Sequence, residues 1–411
     1  MIKKIFTLFF IFSICFFSAF IIESSEKSWE NFTFEDGLVS NNFKSVFEDS
    51  EGNIWCISYA RGVSKFDGMT WTNYKNKDGL ISNIIDKFMP DSKGNIWFFG
   101  LKLRFCHYDG TRMIKGPKIF VQTIFEDSHK DIWLGSWGLY NYKDPDNFIR
   151  YSKKEGLAGN SITAIFEDIK GILWVGTKNG ISRYDGQNWV TYNEDNGATS
   201  KTVSVILEDK KGNIWFGTYG GVFQFDGQDW ISFTKEDEIL PTNDVLLMKM
   251  DSQGNIWVTL GGHSKEWGLL SIGSDLVHKS GILKYDGENW TSFSAEEGAP
   301  DAKIIKMEID SKDNIWCDTY TTGFYLYDGA KWTKYSKEEG FYANHFYEFE
   351  EDSDGHIWLA TGSGLLFYDG SEWTQYTIED GLPGDRVLSV IEDSRGDIWI
   401  ATGGGVGRYK R

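Results

Sequence analysis

One short stretch recurs through the whole chain and limits what it can fold into. Its clearest copy is Glu208-Asp209-Lys210-Lys211-Gly212-Asn213-Ile214-Trp215. The tryptophan of that copy reappears at Trp55, Trp97, Trp133, Trp174, Trp215, Trp257, Trp316, Trp358 and Trp399, with spacings of 42, 36, 41, 41, 42, 59, 42 and 41 residues. Self-similarity at a fixed period marks a repeat architecture, and roughly 40–45 residues with an aromatic signature is the size of a four-stranded propeller blade.

The repeat around Trp215 reads as one such blade. Val203-Ser204-Val205-Ile206-Leu207 is a short β-branched run that suits a buried strand. Asp209 to Gly212 is a polar turn, in which the Asp caps backbone N–H groups and the Gly supplies a positive φ. Asn213 to Gly217 is the second strand and Val222 to Phe225 the third. Asp226-Gly227 signals a tight hairpin into the fourth strand, Trp230 to Phe233. Strands this short cannot stand alone, and stacking blades buries the faces that each leaves open. The apolar phase holds throughout. Three residues before each turn Asp stand Val46, Phe88, Ile124, Ile165, Ile206, Met248, Met307, Phe349 and Val390. These are packing positions.

The two ends are complementary. Trp29-Glu30-Asn31-Phe32 reads as a fourth strand with no blade before it, and Gly405 to Tyr409 as a third strand with no fourth after it. The first can complete the last blade, which removes the free sheet edge of an open array. The expectation is an all-β fold, a single propeller of nine four-stranded blades closed by its N-terminal strand. Eight blades plus one degenerate unit stays open as an alternative. The weakest unit is the third, reached after the 36-residue interval, where Met113 and Phe148 stand in for fourth-strand tryptophans.

Lys3 and Lys4 precede an apolar run from Ile5 to Ile22, so residues 1–22 read as an export signal or N-terminal anchor, 23–28 as a linker and 29–411 as the propeller. The ring is therefore expected in the periplasm or outside the cell. Lys plus Arg total 42 against 60 Asp plus Glu, a net charge of −18, which argues against nucleic acid and anionic membranes as partners. Cys56, Cys106 and Cys317 are scattered over three blades, as expected of buried small residues and not of a disulfide framework.

No motif for a nucleophile elbow, zinc protease, phosphate loop or redox Cys pair is present, and no two of the six His have a metal-ligand spacing. Neither a cofactor nor a metal is expected. The recurring Glu-Asp pairs, such as Glu48-Asp49 and Glu392-Asp393, keep register with the turn and read as turn formers. The residues that break the repeat are more informative. Of 18 Trp, nine are framework and seven (Trp29, Trp71, Trp189, Trp230, Trp290, Trp332, Trp373) belong to fourth strands. Trp137 and Trp267 remain. Both fall in turns between second and third strands, the latter in the one large insertion, Gly261 to Ser280. Strand direction puts those turns on the same face as the connections between blades. That face is expected to collect Tyr59, Arg61, Lys102, Trp137, Lys178, Tyr219, His263, Trp267, Tyr320, Tyr342, His345 and Arg386. Flat aromatics beside polar groups suit stacking on a sugar or gripping a peptide.

The motifs Asp-x-x-Gly-Asn-Ile-Trp, Gly-Thr-x-Gly-Gly, Tyr-Asp-Gly-x-x-Trp-Thr-x-Tyr and Asp-Gly-Leu resemble the two-component regulator propeller repeat, from Trp29 to the C-terminus. The resemblance implies a periplasmic, sensor-type, non-catalytic propeller, often tied to polysaccharide use, that binds a ligand and works with a membrane-bound signalling or uptake partner. Receptors of that family usually carry paired seven-bladed rings, a β-sandwich, a membrane span and a kinase. The sequence to Arg411 holds none of those later parts, so binding is expected more than direct signalling. Two other readings stay open: a protein-interaction scaffold, and an enzyme similar to streptogramin lyase, whose repeats have a similar style.

Overall fold

The computed structural model describes residues 28–100, 104–199, 201–261, 281–319 and 321–411. The expected signal or anchor and most of the blade-six insertion lie outside the described residues. Within them the chain forms nine four-stranded antiparallel sheets, so the count is nine blades and not eight. Blade five is typical, with strands Val203–Glu208, Ile214–Thr218, Gly221–Phe225 and Trp230–Phe233. The short third unit is a full blade. Its fourth strand, Asn147–Tyr151, sets Phe148 opposite Tyr142, the slot a tryptophan fills elsewhere. Met113 does the same against Tyr108 in blade two.

Ring closure follows the expected route. Trp29–Phe32 pairs antiparallel with Val406–Tyr409, Trp29 opposite Tyr409 and Phe32 opposite Val406. The N-terminal strand also packs both neighbours, Trp29 edge-on to Tyr376 of blade eight and Phe32 against Trp71 of blade one.

The framework tryptophans are at most 4% exposed. An indole buried that deeply needs an acceptor for its N–H. In all nine blades the turn Asp supplies one: Trp215 Nε1 donates to Asp209 Oδ2 at 2.9 Å, and the other eight distances run from 2.7 to 3.0 Å. The same carboxylate accepts the backbone N–H groups of Lys211 and Asn213. It closes the turn and fastens the indole together.

The Glu of each Glu-Asp pair is not a turn former, which corrects the sequence reading. It ends the first strand and clasps the blade before it. Glu167 accepts the N–H and hydroxyl of Ser128 at 2.6 and 2.9 Å. Glu48 does the same with Ser394 across the closure, at 2.7 Å for both bonds. Glu126, Glu351 and Glu392 repeat the two-bond clasp, and Glu208 takes one bond from the Ile169 N–H. Pro90, Met250 and Ile309 occupy this position in blades two, six and seven and have no carboxylate to offer.

The fourth-strand tryptophans form a second belt between blades. Each lies 5.2–6.0 Å, at 57–75°, from an aromatic ring on the last strand of the preceding blade. Their buried indole N–H groups meet no oxygen or nitrogen acceptor. An aromatic ring at that distance can serve a buried N–H as a weak π acceptor. The connections between blades open with a 3-10 turn. In Thr33 to Leu38, the Asp36 side chain accepts the Thr33 N–H, Gly37 takes φ 104°, and Leu38 is buried. That is the physical content of the Asp-Gly-Leu signature. Among the described residues, no helix is long and apolar enough to cross a membrane.

Candidate functional site

The turns between second and third strands and the connections between blades do share one face, because they are hydrogen-bonded to each other. The Tyr59, Lys178 and Tyr219 N–H groups donate to the carbonyls of Asn42, Ser161 and Thr202, each just before the first strand of its own blade, at 3.0–3.2 Å. Gly62 and Gly221 N–H groups reach Asn83 and Asn243 on the way into the next blade, both at 2.9 Å.

On that face the predicted residues are set out one blade at a time. Tyr59 and Arg61 of blade one are exposed, as is Lys178 of blade four, while Tyr219 of blade five is half-buried. Trp137 of blade three is 63% exposed, its carbonyl accepting a bond from the Arg150 guanidinium at 2.9 Å. Lys102, His263, Trp267 and Tyr320 lie outside the described residues. Between blades two and three the face holds a cleft of about 220 Å³ lined by Lys87, Phe99, Val121 and Gln122.

The structure brings predicted residues together in one place, over blades seven to nine. His345 and Arg386 both meet a residue the sequence reading missed, Tyr347. The Arg386 guanidinium lies 5.6 Å from the Tyr347 ring centre, and the His345 imidazole meets the same ring edge-on at 4.9 Å. Lys306 Nζ donates to the Tyr347 carbonyl and sits over the Phe346 ring. Lys337 Nζ donates to Ser363 Oγ at 2.9 Å. Tyr342, in the connection that carries His345, is 41% exposed. Burial lowers the His345 pKa, and Lys306, Lys337 and Arg386 lower it further, so the imidazole is neutral at pH 7. Burial also lowers the pKa of Lys306, against the pull of Asp318, Glu348 and Glu308. Among the described residues, no carboxylate forms an ion pair with Lys337 or Arg386.

Lys306 and Tyr347 escaped notice because they sit inside strands. A signal was present. The residues four and five before each turn Asp change character from blade to blade, as in Lys44-Ser45, Asp86-Lys87, Ile305-Lys306, Tyr347-Glu348 and Leu388-Ser389, while their neighbours stay apolar. Innermost strands of a ring free those positions to line the central opening.

Two groups on the opposite face have cation-binding donor atoms. Asp127, His129 and Glu167 have ligand atoms within 4.8 Å of one another, as do Asp352, Asp354 and His356. The first trio borders a cleft of about 340 Å³ between blades three and four. Its Asp127 fastens Trp133 and its Glu167 clasps Ser128, so both carboxylates are already engaged in the repeat's own work. In the second, the Arg411 guanidinium already supplies the positive charge, binding Asp352 at 3.0 Å together with Asp354 and Glu392.

Fold and face together define a nine-bladed β-propeller with a turn-and-connector face rich in aromatic and cationic groups. Three of its repeats match the model of the two component regulator propeller family, over residues 156–179, 197–220 and 381–404. No curated protein matches the sequence. Among solved structures, the extracellular domain of a one component system from B. thetaiotaomicron is 19% identical, with a TM-score of 0.43 over 89% of this chain and 51% of that one. The chain thus spans about half the length of that relative. PorZ, a surface component of the type-IX secretion system of Porphyromonas gingivalis, is 16% identical over 90% of this chain and 69% of its own, with a TM-score of 0.43. Virginiamycin B lyase from Staphylococcus aureus is 14% identical over 93% and 98%, with a TM-score of 0.37. Likenesses this distant carry no statement about function.

Proposed function

We propose that this protein is an exported, non-catalytic, sensor-type propeller that recognises a glycan or peptide on its turn-and-connector face, outside the cytoplasmic membrane, and passes the occupied state to a membrane-bound signalling or uptake partner. One observation carries the reading: Trp137, which departs from the repeat, is exposed on the face that also exposes Tyr59, Arg61, Lys178, Tyr342 and Arg386. A large indole left 63% exposed is a ready platform for a sugar ring or an apolar side chain. A lyase-type reading would need an acid–base pair on the same face. His345 instead makes a T-shaped contact with Tyr347, and burial together with three nearby cations disfavours its protonation.

The test is a screen of the purified full chain against oligosaccharide and peptide arrays, with mass spectrometry of every ligand that binds. Binding without new products, weakened by Trp137→Ala, is the expected result. Turnover of a bound ligand that one histidine substitution abolishes would replace this reading with an enzymatic one.

A further inference from the structure

The cationic cluster over blades seven to nine stands out on a chain of net charge −18. Here Lys337 and Arg386 are exposed, and each lacks a carboxylate partner among the described residues. Lys306, behind them, is partly offset by the buried Asp318 and the half-buried Glu348, so the outward-facing charge is that of the other two. Beside the cations stand flat faces, Tyr347 held under Arg386 and Tyr342 open to solvent.

We propose that this mouth of the ring takes an anionic saccharide, with its carboxylate or sulfate group on Arg386 and Lys337 and a pyranose face against Tyr342. The inference rests on the reading that this face binds ligand, and names the chemical class. A guanidinium gives a planar, bidentate fit to a carboxylate or sulfate, and an ammonium adds a second point of charge. The alternation of ring and cation matches a uronate or sulfated pyranose, in which a C–H-rich face and an anionic group are joined by one or two bonds. An acidic peptide shares the charge but has no ring for Tyr342 to stack on. The neutral His345 fits the same picture as a hydrogen-bond partner for a sugar hydroxyl that adds no charge of its own.

Calorimetric titration of the full chain tests this with four probes: tri-galacturonate, a heparin-derived tetrasaccharide, neutral galactotriose and tri-glutamate. At least one anionic saccharide should bind, with galactotriose and tri-glutamate at least about tenfold weaker. Arg386→Ala and Lys337→Ala should each weaken that binding about tenfold with an unchanged melting temperature. The carboxylate and sulfate arms tell which anion is preferred. Failure of both anionic saccharides to bind, affinity for galactotriose or tri-glutamate equal to theirs, or indifference to both substitutions overturns the inference. Galactotriose binding that is lost in Trp137→Ala but kept in Arg386→Ala would remove the anionic class and leave the binding face standing. No binding by any probe or array ligand would remove both.

Discussion

The nine Asp–Trp fastenings make a quantitative claim that one substitution can test. Asp209 accepts the Trp215 indole N–H at 2.9 Å, the Lys211 and Asn213 backbone N–H groups at 2.9 Å each, and the Asn213 amide at 2.8 Å. Burial pushes the Asp209 carboxyl up, and these donated bonds outweigh it, leaving the group below the usual carboxylate range. Asp209→Ala strands an indole N–H on a residue 1% exposed, and that orphan costs about 1–3 kcal/mol. The two turn N–H groups can turn to water, so each loses about 0.5–1.5 kcal/mol. The sum is about 2–6 kcal/mol, a large part of the ~5–15 kcal/mol that holds a domain. Asp209→Asn is the sharper variant. Asn is as good a turn residue as Asp, so a pure turn former would tolerate it. An indole acceptor would not, because the Asn amide must aim either its NH₂ group or its only oxygen at Trp215, and it cannot serve the turn and the indole together. Urea unfolding followed by circular dichroism measures both. An Asp209→Asn variant within about 0.5 kcal/mol of the parent would refute the fastening role.

Three further outcomes are expected. Deleting Trp29 to Phe32 should lower the melting temperature and cause self-association by baring the Val406–Tyr409 edge; a monomeric elution profile with an unchanged melt contradicts that closure. Trp215→Ala should lose ~3–5 kcal/mol while Trp137→Ala loses no more than about 1 kcal/mol, as read from thermal melts; equal losses would make Trp137 a core residue. Burial pushes the Glu350 carboxyl up to about 7, so its contribution to stability is full below the unfolded carboxylate range and is lost as the pH rises through that value. Glu350→Gln should therefore gain stability relative to the parent at pH 8 compared with pH 5, and parallel melting curves at the two values would exclude this.

Most of the architecture was legible because every blade must solve the same burial problem with the same residues. Nine tryptophans in phase give nine blades, and Met113 and Phe148 were readable as substitutes because the hairpin fixes the slot they fill. The termini were readable because an unpaired strand at each end has one economical partner. The Glu of the Glu-Asp pair was misread for a definite reason. Its partner, such as Ser128 for Glu167, sits 39 residues away in the preceding blade, and no local pattern separates a clasp from a turn. The site was legible only in part. Trp137, Tyr342, His345 and Arg386 announce themselves by breaking the repeat in loops, whereas Lys306 and Tyr347 vary inside strands whose pattern is otherwise constant.

The closing strand also fixes how the ring can be held. A fourth strand starts at the hairpin end of its blade and runs toward the turn-and-connector face, so Trp29 enters at the outer circumference on the side of the Asp–Trp fastenings. Arg411 finishes on that same side, among Asp352, Asp354 and Glu392 of blades eight and nine. Both ends of the described chain therefore leave from one side. A tether running from either end, to a lipid surface or to another protein, would lie beneath that side. The face carrying Trp137, Tyr347 and Arg386 would look outward, and the ring would be presented like a dish on a stalk.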